Sequence, residues 1–456
     1  MHATVAPARP MRMVRPGDPD WDAARRTFNL LVDQRPDAIA VPADERGVAA
    51  AIGWARERGL RVAPQATGHN AAPLGSLAGT LLLSVAGLRD VSIDVAARRV
   101  RVGAGTIWGE VTPALSEHGL AALHGSSPLV GIAGYSLGGG IGWLARKHGM
   151  QTNAVTAIEL VTADGRLVRT DAQHDPELFW ALRGGGGNLG VVTAIEFAVQ
   201  PVRELYAGAL FFPLERTAEV LEAWTDLLPA LPEELTSWAN VLHFPPDPAL
   251  PEGIRGGSFA VVMAAFLGEE ARGRELLAPL RALGPAIDTF AMQPPVGLSE
   301  LAMDPPEALP FRLAHALVDE LPTRAIEQIA QIAGSGSSLA MVQLRHMGGA
   351  LARHAPGAGA RATLPGQICV LGLGVVGEPG ADPAVRADLA ALSAAVAPHR
   401  VGDYPNFVES PADARAFHEP GTWARLQAVK AQYDPADVFK GNHHVPPAAT
   451  EPAAAA

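Results

Sequence analysis

The sequence predicts an α+β fold that is divided into more than one domain. The chain has 456 residues, more than a single hydrophobic core usually serves. Helix and strand signals alternate up to about residue 200, with glycine-rich loops between them. Longer helices between strands then follow, which is typical of an antiparallel sheet covered by helices on one face. The pattern changes again near residue 401. We therefore predict domains at residues 33–203, 204–400 and 401–446, and a disordered tail at residues 447–456.

The composition argues against several classes of function. The formal net charge is −11, and no cluster of Lys and Arg is present, so we expect no binding to nucleic acid. No apolar run approaches the ~20 residues that span a bilayer. Residues 1–21 lack the apolar core of a secretory signal, so we expect a cytoplasmic protein without a membrane partner. Cys369 is the single cysteine, which excludes an intramolecular disulfide and a cysteine-based metal cluster.

The first half reads as short strands and helices in alternation. A short helix is predicted near residues 21–31. Asp44 is predicted to cap a helix in which Val48, Ile52 and Ala55 share one face, and Thr106 to cap a later one. Strands are predicted at residues 38–41, 61–63, 80–85, 91–95, 100–102, 155–161, 167–169 and 191–199, and a further helix starts near residue 176.

The second half combines strands with longer helices. Strands are predicted at residues 238–244, 259–267, 313–318, 341–347 and 368–376. Helices are predicted at residues 215–228, 269–283, 324–332, 383–396 and 422–433.

Two loops are candidates for a ligand site. Residues 125–142, GSSPLVGIAGYSLGGGIG, combine many glycines with apolar anchors, unlike a flexible linker. Such a stretch suits main-chain N–H groups that approach a phosphate or a flat cofactor closely, and it equally suits a tight structural turn. The other loop, residues 64–75, has His69 at its centre. Its imidazole is either a hydrogen-bonded loop histidine or a nucleophile that faces a cofactor.

Other chemical motifs are missing or weak. There is no G-x-x-x-x-G-K-[ST] phosphate loop, no G-x-S-x-G elbow and no H-E-x-x-H, and no GxGxxG follows a strand in the required setting. His443 and His444 are adjacent, so their side chains are not expected to converge on one ion, and no metal is expected.

Five ordered segments carry a family resemblance. They are ATGHN at residues 66–70, GSSPLVGIAGYSLGGGIGWLARKHG at 125–149, DPELFWALRGGGGNLGVVTAIEF at 175–197, YPNF at 404–407 and YDPADVFKGN at 433–442. Together they resemble the berberine-bridge-enzyme-like flavoproteins, FAD-linked oxidases of the vanillyl-alcohol-oxidase type. The resemblance implies a PCMH-type FAD-binding domain at residues 33–203, a substrate domain at 204–400, and a segment at 401–446 that returns to the first.

The resemblance also implies an FAD site with a single covalent bond, from His69 to the 8α-methyl group of the flavin. Many relatives carry a cysteine at the position of Ser127 that forms a second bond, and serine is a far poorer nucleophile. The usual loop has Arg and Gly where this chain has Gln65 and Thr67, so backbone N–H groups should carry more of the phosphate contact. The implied cofactor contacts are Ala66, Thr67, Gly68, His69, Asn70, Ser127, Val130, Gly131, Gly134, Gly138, Gly139, Gly142, Gly190, Val192 and Asn442.

Tyr404 resembles the active-site tyrosine of the family and is the predicted base, provided that a positive charge or a hydrogen-bond donor lowers its pKa. Gln367 is a second catalytic candidate, because it alternates with Cys369 onto one face of a predicted strand. Arg345 and His315 lie on other predicted strands and are equally consistent with ordinary polar groups.

The implied activity is that of an FAD-dependent oxidoreductase. Hydride passes from an alcohol, sugar or secondary metabolite to flavin N5, and dioxygen is the expected acceptor. Two alternatives stay open, namely a dehydrogenase with another acceptor and a flavoprotein without turnover.

Overall fold

The computed structural model describes residues 11–449, and their first half forms three sheets. The strands are β1 Arg12–Val14, β2 Ala38–Val41, β3 Arg61–Gln65, β4 Thr80–Ser84, β5 Val91–Asp94, β6 Arg99–Gly103, β7 Leu120–Ala121, β8 Val155–Val161, β9 Leu167–Asp171, β10 Val191–Ala198 and β11 Gln200–Pro201. The first sheet has the order β1-β2-β4-β3, with β2, β4 and β3 parallel and β1 antiparallel. An antiparallel sheet of order β5-β6-β10-β8-β9 follows, and β7 pairs with β11.

Short helices pack on these sheets. They are α1 Trp21–Ala24, α2 Glu45–Arg56, α3 Thr112–Glu117, α4 Ile132–Gly138, α5 Ala145–His148, α6 Gln151–Ala154 and α7 Pro176–Gly185. Asp44 caps α2 as predicted, because its carboxylate accepts a hydrogen bond of 2.8 Å from the Gly47 N–H. The predicted face of α2, with Val48, Ile52 and Ala55, is buried.

The second half forms one large antiparallel sheet. Its strands are β12 Leu205–Pro213, β13 Leu235–His243, β14 Ser258–Phe266, β15 Ile287–Asp288, β16 Ala291–Gln293, β17 Phe311–Val318, β18 Met341–His346, β19 Ile368–Val375 and β20 Arg400–Gly402, and its helices are α8 Thr217–Leu227, α9 Glu270–Leu276, α10 Ala278–Ala282, α11 Thr323–Ile332 and α12 Ala381–Val396. The strand order is β15-β12-β14-β13-β18-β19-β17-β20, and β16 also pairs with β12. Apolar residues of α8, α11 and α12 cover one face of this sheet.

The other face of the large sheet lies over the glycine-rich stretch of the first half. Trp238 of β13 stacks on Trp143, with 3.6 Å between ring centroids. Leu317 of β17 and Cys369 of β19 share a buried cluster with Ile141. Residues 125–142 therefore lie between the two halves of the molecule.

The C-terminal segment returns to the first half. Helix α13, Pro420–Tyr433, buries Leu426 in the same core as β3 and β10. The Val62 N–H of β3 donates a 2.8 Å hydrogen bond to the Val438 carbonyl. Lys430, fully buried, donates to the Asn188 carbonyl at 2.8 Å and to the Asp434 carboxylate, so its charge is neutralised.

The predicted α+β class is confirmed, and several local predictions are corrected. Thr106 does not cap a helix, because Ile107 begins a short 3₁₀ turn and α3 starts later. Strand β12 was not predicted, since its residues are almost all apolar and buried and lack alternation. The predicted helix at 269–283 is two helices, α9 and α10, and the one near 21–31 spans only α1. Of the predicted tail, residues 450–456 lie outside the described residues, while the Ala448 N–H donates to the Gln427 carbonyl.

Candidate active site

The glycine-rich stretch contains a short helix rather than only a loop. Helix α4 follows Gly131 and ends at Gly139, whose φ of 134° suits glycine. A Cβ atom on Gly142 would overlap the His124 carbonyl, and one on Gly138 would overlap the Asn406 side chain. The backbone carbonyl therefore demands glycine at position 142, whereas a side chain at position 138 would require the Asn406 side chain to move.

Other members of this stretch border open space or the His69 loop. Gly134 is exposed, and a Cβ on it would meet no atom within 4 Å. A Cβ on Gly131 would lie 3.4 Å from the Ala66 Cβ and from the Thr67 hydroxyl, so the two loops touch there. Nearby, the Ser127 hydroxyl accepts a hydrogen bond of 3.2 Å from the Leu129 N–H.

His69 is held by one ring nitrogen and leaves the other without a partner. Its Nδ1 lies 2.7 Å from the Thr67 hydroxyl, and its ring stacks on Phe28 with 3.8 Å between centroids. Its Nε2 is buried and has no hydrogen-bond partner among the described residues. Burial lowers the pKa of His69 to about 4, so the imidazole is neutral at pH 7. In the tautomer in which Nδ1 donates to the Thr67 hydroxyl, Nε2 carries the lone pair of a nucleophile.

Tyr404 joins the C-terminal segment to the glycine-rich stretch. Its hydroxyl oxygen accepts hydrogen bonds from the Gly140 N–H at 2.8 Å and from the Asn406 amide at 2.9 Å. Its own N–H donates to His315 Nε2 at 3.0 Å. A Cβ on Gly139 would lie 3.3 Å from the Tyr404 ring, so backbone and phenol are in close contact.

The charge balance at Tyr404 differs from the prediction. Burial raises the pKa of the phenol, and this effect exceeds the opposing effects of the Gly140 N–H, the Arg361 and Arg345 charges and the Asn406 amide. The donors and positive charges that a catalytic tyrosine needs are present, but the phenol is neutral in this structure.

Asn442 lies against the His69 loop, and its contact with the cofactor stays a prediction. Its side-chain amide donates to the Asn70 carbonyl, and also to the Asn70 side-chain oxygen at 3.1 Å. The Asn70 amide in turn donates to the Val408 carbonyl at 3.0 Å. The structure thus brings together the His69 loop, residues 404–408 and Asn442. Gly68, next to His69, has a φ of 71°, in the region that favours glycine.

Gly190 and Val192 lie at the start of β10, where their contacts are with β8. A Cβ on Gly190 would lie 2.6 Å from Leu160 Cδ1, and Val192 is the register partner of Leu160. Packing on β8 accounts for this glycine without a ligand.

Gln367 does not join the cluster around Tyr404. It is exposed and precedes β19, and its backbone pairs with Val318 and Met347. The second catalytic candidate is therefore corrected. Two positive charges act on the Tyr404 phenol, those of Arg361 and of Arg345 of β18, and Arg345 also contacts Phe407, which packs against Tyr404.

Arg345 could not be selected from the sequence. The alternation along residues 341–347 predicted two faces, but it did not show which face covers the glycine-rich stretch. Burial raises the pKa of Asp304, and the charge of Arg345 opposes that rise. Asp304 lies in the segment between β16 and β17, which contains no motif that could have identified it from the sequence. The described residues contain no group of three or more His, Cys, Asp or Glu side chains that could hold a metal.

These features fit a flavin. His69 Nε2 has no hydrogen-bond partner in the described part of the chain, glycines keep side chains out of the adjacent wall, and a Cβ on Gly134 would meet no atom within 4 Å. The arrangement defines an FAD-binding protein.

The comparisons with known proteins agree. The family described as "FAD binding domain" matches residues 36–171, and the one described as "Berberine and berberine like" matches residues 403–446. The chain is 28% identical to (R)-6-hydroxynicotine oxidase of Paenarthrobacter nicotinovorans, over 95% of this chain and 96% of that protein. Its fold matches 6-hydroxy-D-nicotine oxidase from Arthrobacter nicotinovorans with a TM-score of 0.82 at 25% identity, covering 98% of this chain and 99% of that one.

A further match is the berberine bridge enzyme of Eschscholzia californica, with a TM-score of 0.83 at 19% identity and 98% coverage of both chains. The chain belongs to the berberine-bridge-enzyme-like FAD-linked oxidases. It is an FAD-dependent oxidoreductase, and that prediction is confirmed. Among residues 11–449, no helix has the length and apolar character needed to cross a membrane.

Proposed function

We propose that the chain is an oxidase that takes hydride from an alcohol, sugar or secondary metabolite, with dioxygen as acceptor. The observation that carries this proposal is the buried Tyr404 hydroxyl, seated on the backbone of the glycine-rich stretch beside Asn406. Several relatives are named oxidases, among them a xylooligosaccharide oxidase and a glucooligosaccharide oxidase. FAD, when bound, supplies the hydride acceptor and the route of the electrons to oxygen.

His69 is proposed to hold the cofactor covalently. Its Nδ1 is engaged by Thr67, which leaves the buried Nε2 as the nitrogen available for the bond. The glycine-rich stretch forms the wall, and Asn442 closes the site from the C-terminal side through Asn70. Ser127 is proposed to form no bond, because a serine hydroxyl is a far weaker nucleophile than a thiolate.

Tyr404 is proposed to take the proton that accompanies hydride loss after it has ionised to the phenolate, the form that the surrounding donors and positive charges favour against burial. The Gly140 N–H and the Asn406 amide both point at the phenol oxygen, so they stabilise a negative charge there. Arg361 and Arg345 lower the pKa of the phenol further, in opposition to burial. His315 keeps the residue in place by accepting a hydrogen bond from its backbone N–H.

The covalent bond is tested on the purified holoenzyme by acid precipitation, proteolysis and mass spectrometry of the yellow peptides. We expect the flavin on a peptide that contains His69, and its release as free FAD in His69→Ala. Ser127→Ala is the matched control and should keep the flavin on the peptide. Free FAD from the unmodified protein, or flavin attached at Ser127, would contradict the proposal.

The acceptor is tested by mixing the photoreduced enzyme with air-saturated buffer in a stopped-flow instrument. An oxidase should regain its flavin absorbance within seconds and release hydrogen peroxide. Reduced flavin that persists for minutes in air, yet is oxidised rapidly by an artificial quinone, would identify a dehydrogenase instead.

A further inference from the structure

Arg345 places a positive charge close to Tyr404. Its side chain is buried, and its guanidinium carbon lies 4.0 Å from the centroid of the Trp238 ring. Phe407 lies on the same guanidinium at 5.0 Å. Trp238 is itself fixed by stacking on Trp143. The guanidinium is therefore held in one orientation by aromatic rings before any ligand arrives.

The hydrogen bonds of Arg345 leave one end of its guanidinium free. Its Nε donates to the Gln343 side-chain oxygen, and the Gln343 amide donates to Asn240 at 2.7 Å. Within residues 11–449, the hydrogen bond of the Arg345 side chain is the one from Nε, and no carboxylate lies within 4.0 Å of its nitrogens. Burying a guanidinium without an anionic partner costs free energy. An anionic ligand that binds to Arg345 would offset that cost.

Arg345 lies close to Tyr404, because both contact Phe407, whose ring centroid is 5.0 Å from the Arg345 guanidinium carbon and 5.0 Å from the Tyr404 ring centroid. The charge of Arg345 acts on the phenols of Tyr404 and Tyr135 and on Asp304. Asp304 forms no ion pair with Arg345 within 4.0 Å among the described residues, and burial raises the pKa of its carboxyl group, which favours the uncharged form. The two terminal nitrogens of a guanidinium match the two oxygens of a carboxylate.

We propose that Arg345 binds a carboxylate of the substrate, so that the substrate is an organic acid that carries an oxidisable C–OH or C–N group near Tyr404. This proposal rests on the function proposed above. Arg345 is then the residue that selects an anionic substrate, while Tyr404 acts on the reacting group.

The test is a titration of the oxidised holoenzyme, followed by the flavin absorption spectrum, with acid and amide pairs of increasing size. The pairs are acetate and acetamide, phenylacetate and phenylacetamide, and benzoate and benzamide. We expect at least one carboxylate to bind with a saturable spectral change, and its amide to bind about tenfold more weakly or worse. Arg345→Met should remove that preference and Arg345→Lys should retain part of it. Arg324→Met, a loss of charge at an exposed position, should leave the preference unchanged.

Two results would overturn the proposal. One is a yellow wild-type enzyme for which no carboxylate binds more tightly than its amide, and this result does not require any variant to fold. The other is an Arg345→Met enzyme with unchanged carboxylate affinity and a shifted flavin reduction potential, because the charge would then serve the reduced flavin. A colourless protein would overturn the function proposed above, which keeps the two failures distinct.

Discussion

Glu409 should make the stability of this protein depend on pH in a direction that the structure defines. The side chain is partly buried, and one carboxylate oxygen accepts a hydrogen bond of 3.3 Å from the Asn29 amide. Asn29 also donates to the Phe311 carbonyl at 3.0 Å, so this group connects the N-terminal segment, β17 and the segment after Tyr404. Burial raises the pKa of Glu409 from 4.5 to about 7, against the smaller opposing effect of Asn29.

The folded state prefers the protonated form of Glu409, and this preference sets the direction in which stability changes with pH. The stabilising effect is fully present below pH 4.5 and is lost as the pH rises through about 7. The difference between the pKa of 4.5 in the unfolded state and about 7 in the folded state corresponds to about 3 kcal/mol of unfolding free energy, at about 1.36 kcal/mol per pKa unit. Glu409→Gln keeps an acceptor for Asn29 and removes the ionisation. At pH 8 the variant should therefore be more stable than the wild type by up to about 3 kcal/mol.

The assay is thermal unfolding of both holoenzymes at pH 5 and pH 8. A chain of 456 residues unfolds with an entropy of about 1 kcal/mol/K, so the midpoint should rise by about 3 °C at pH 8 and by about 1 °C or less at pH 5. Glu219→Gln is the control, because the hydrogen bond from Arg216 lowers the pKa of that exposed carboxylate and neither pH titrates it. Equal midpoints of the wild type and Glu409→Gln at pH 8 would refute the reasoning.

Two further predictions concern the site itself. Gly142→Ala forces a methyl group against a backbone carbonyl, so it should lower the free energy of unfolding by about 1–3 kcal/mol and remove most of the bound flavin. Gly134→Ala is the matched control, because a methyl group has space there. Its higher helix propensity should raise the free energy of unfolding of the apoprotein by up to about 1 kcal/mol. Chemical denaturation and the flavin-to-protein absorbance ratio measure both, and a Gly142→Ala protein with full flavin content would contradict the close packing. Tyr404→Phe leaves the Gly140 N–H without an acceptor and should lower stability by about 1–3 kcal/mol and flavin reduction by substrate at least about 100-fold. Tyr135→Phe, which loses one hydrogen bond to a carbonyl, should slow reduction far less, and equal rates in the two variants would argue against Tyr404 as the base.

The sequence determined the features that depend on neighbours along the chain. Asp44 capped its helix, strands β8 and β9 formed where they were predicted, and the buried face of α2 followed from spacing alone. The five ordered segments that carry the family resemblance were sufficient to predict that the cofactor is FAD. These signals are local because caps and turns are hydrogen bonds between residues a few positions apart.

Only the tertiary structure decided which residues surround Tyr404. Tyr404 and Gly140 are joined by a hydrogen bond across 264 positions of the chain, and no periodicity encodes such a pairing. Alternation along a strand separates two faces but does not say which face meets another domain, so Arg345 could not be selected until the large sheet was placed over the glycine-rich stretch, and Gln367 precedes β19 and is exposed. Arg345 is visible in the sequence only as one arginine among many. It became a candidate for substrate binding because the structure shows that it is buried and has no anionic partner among the described residues.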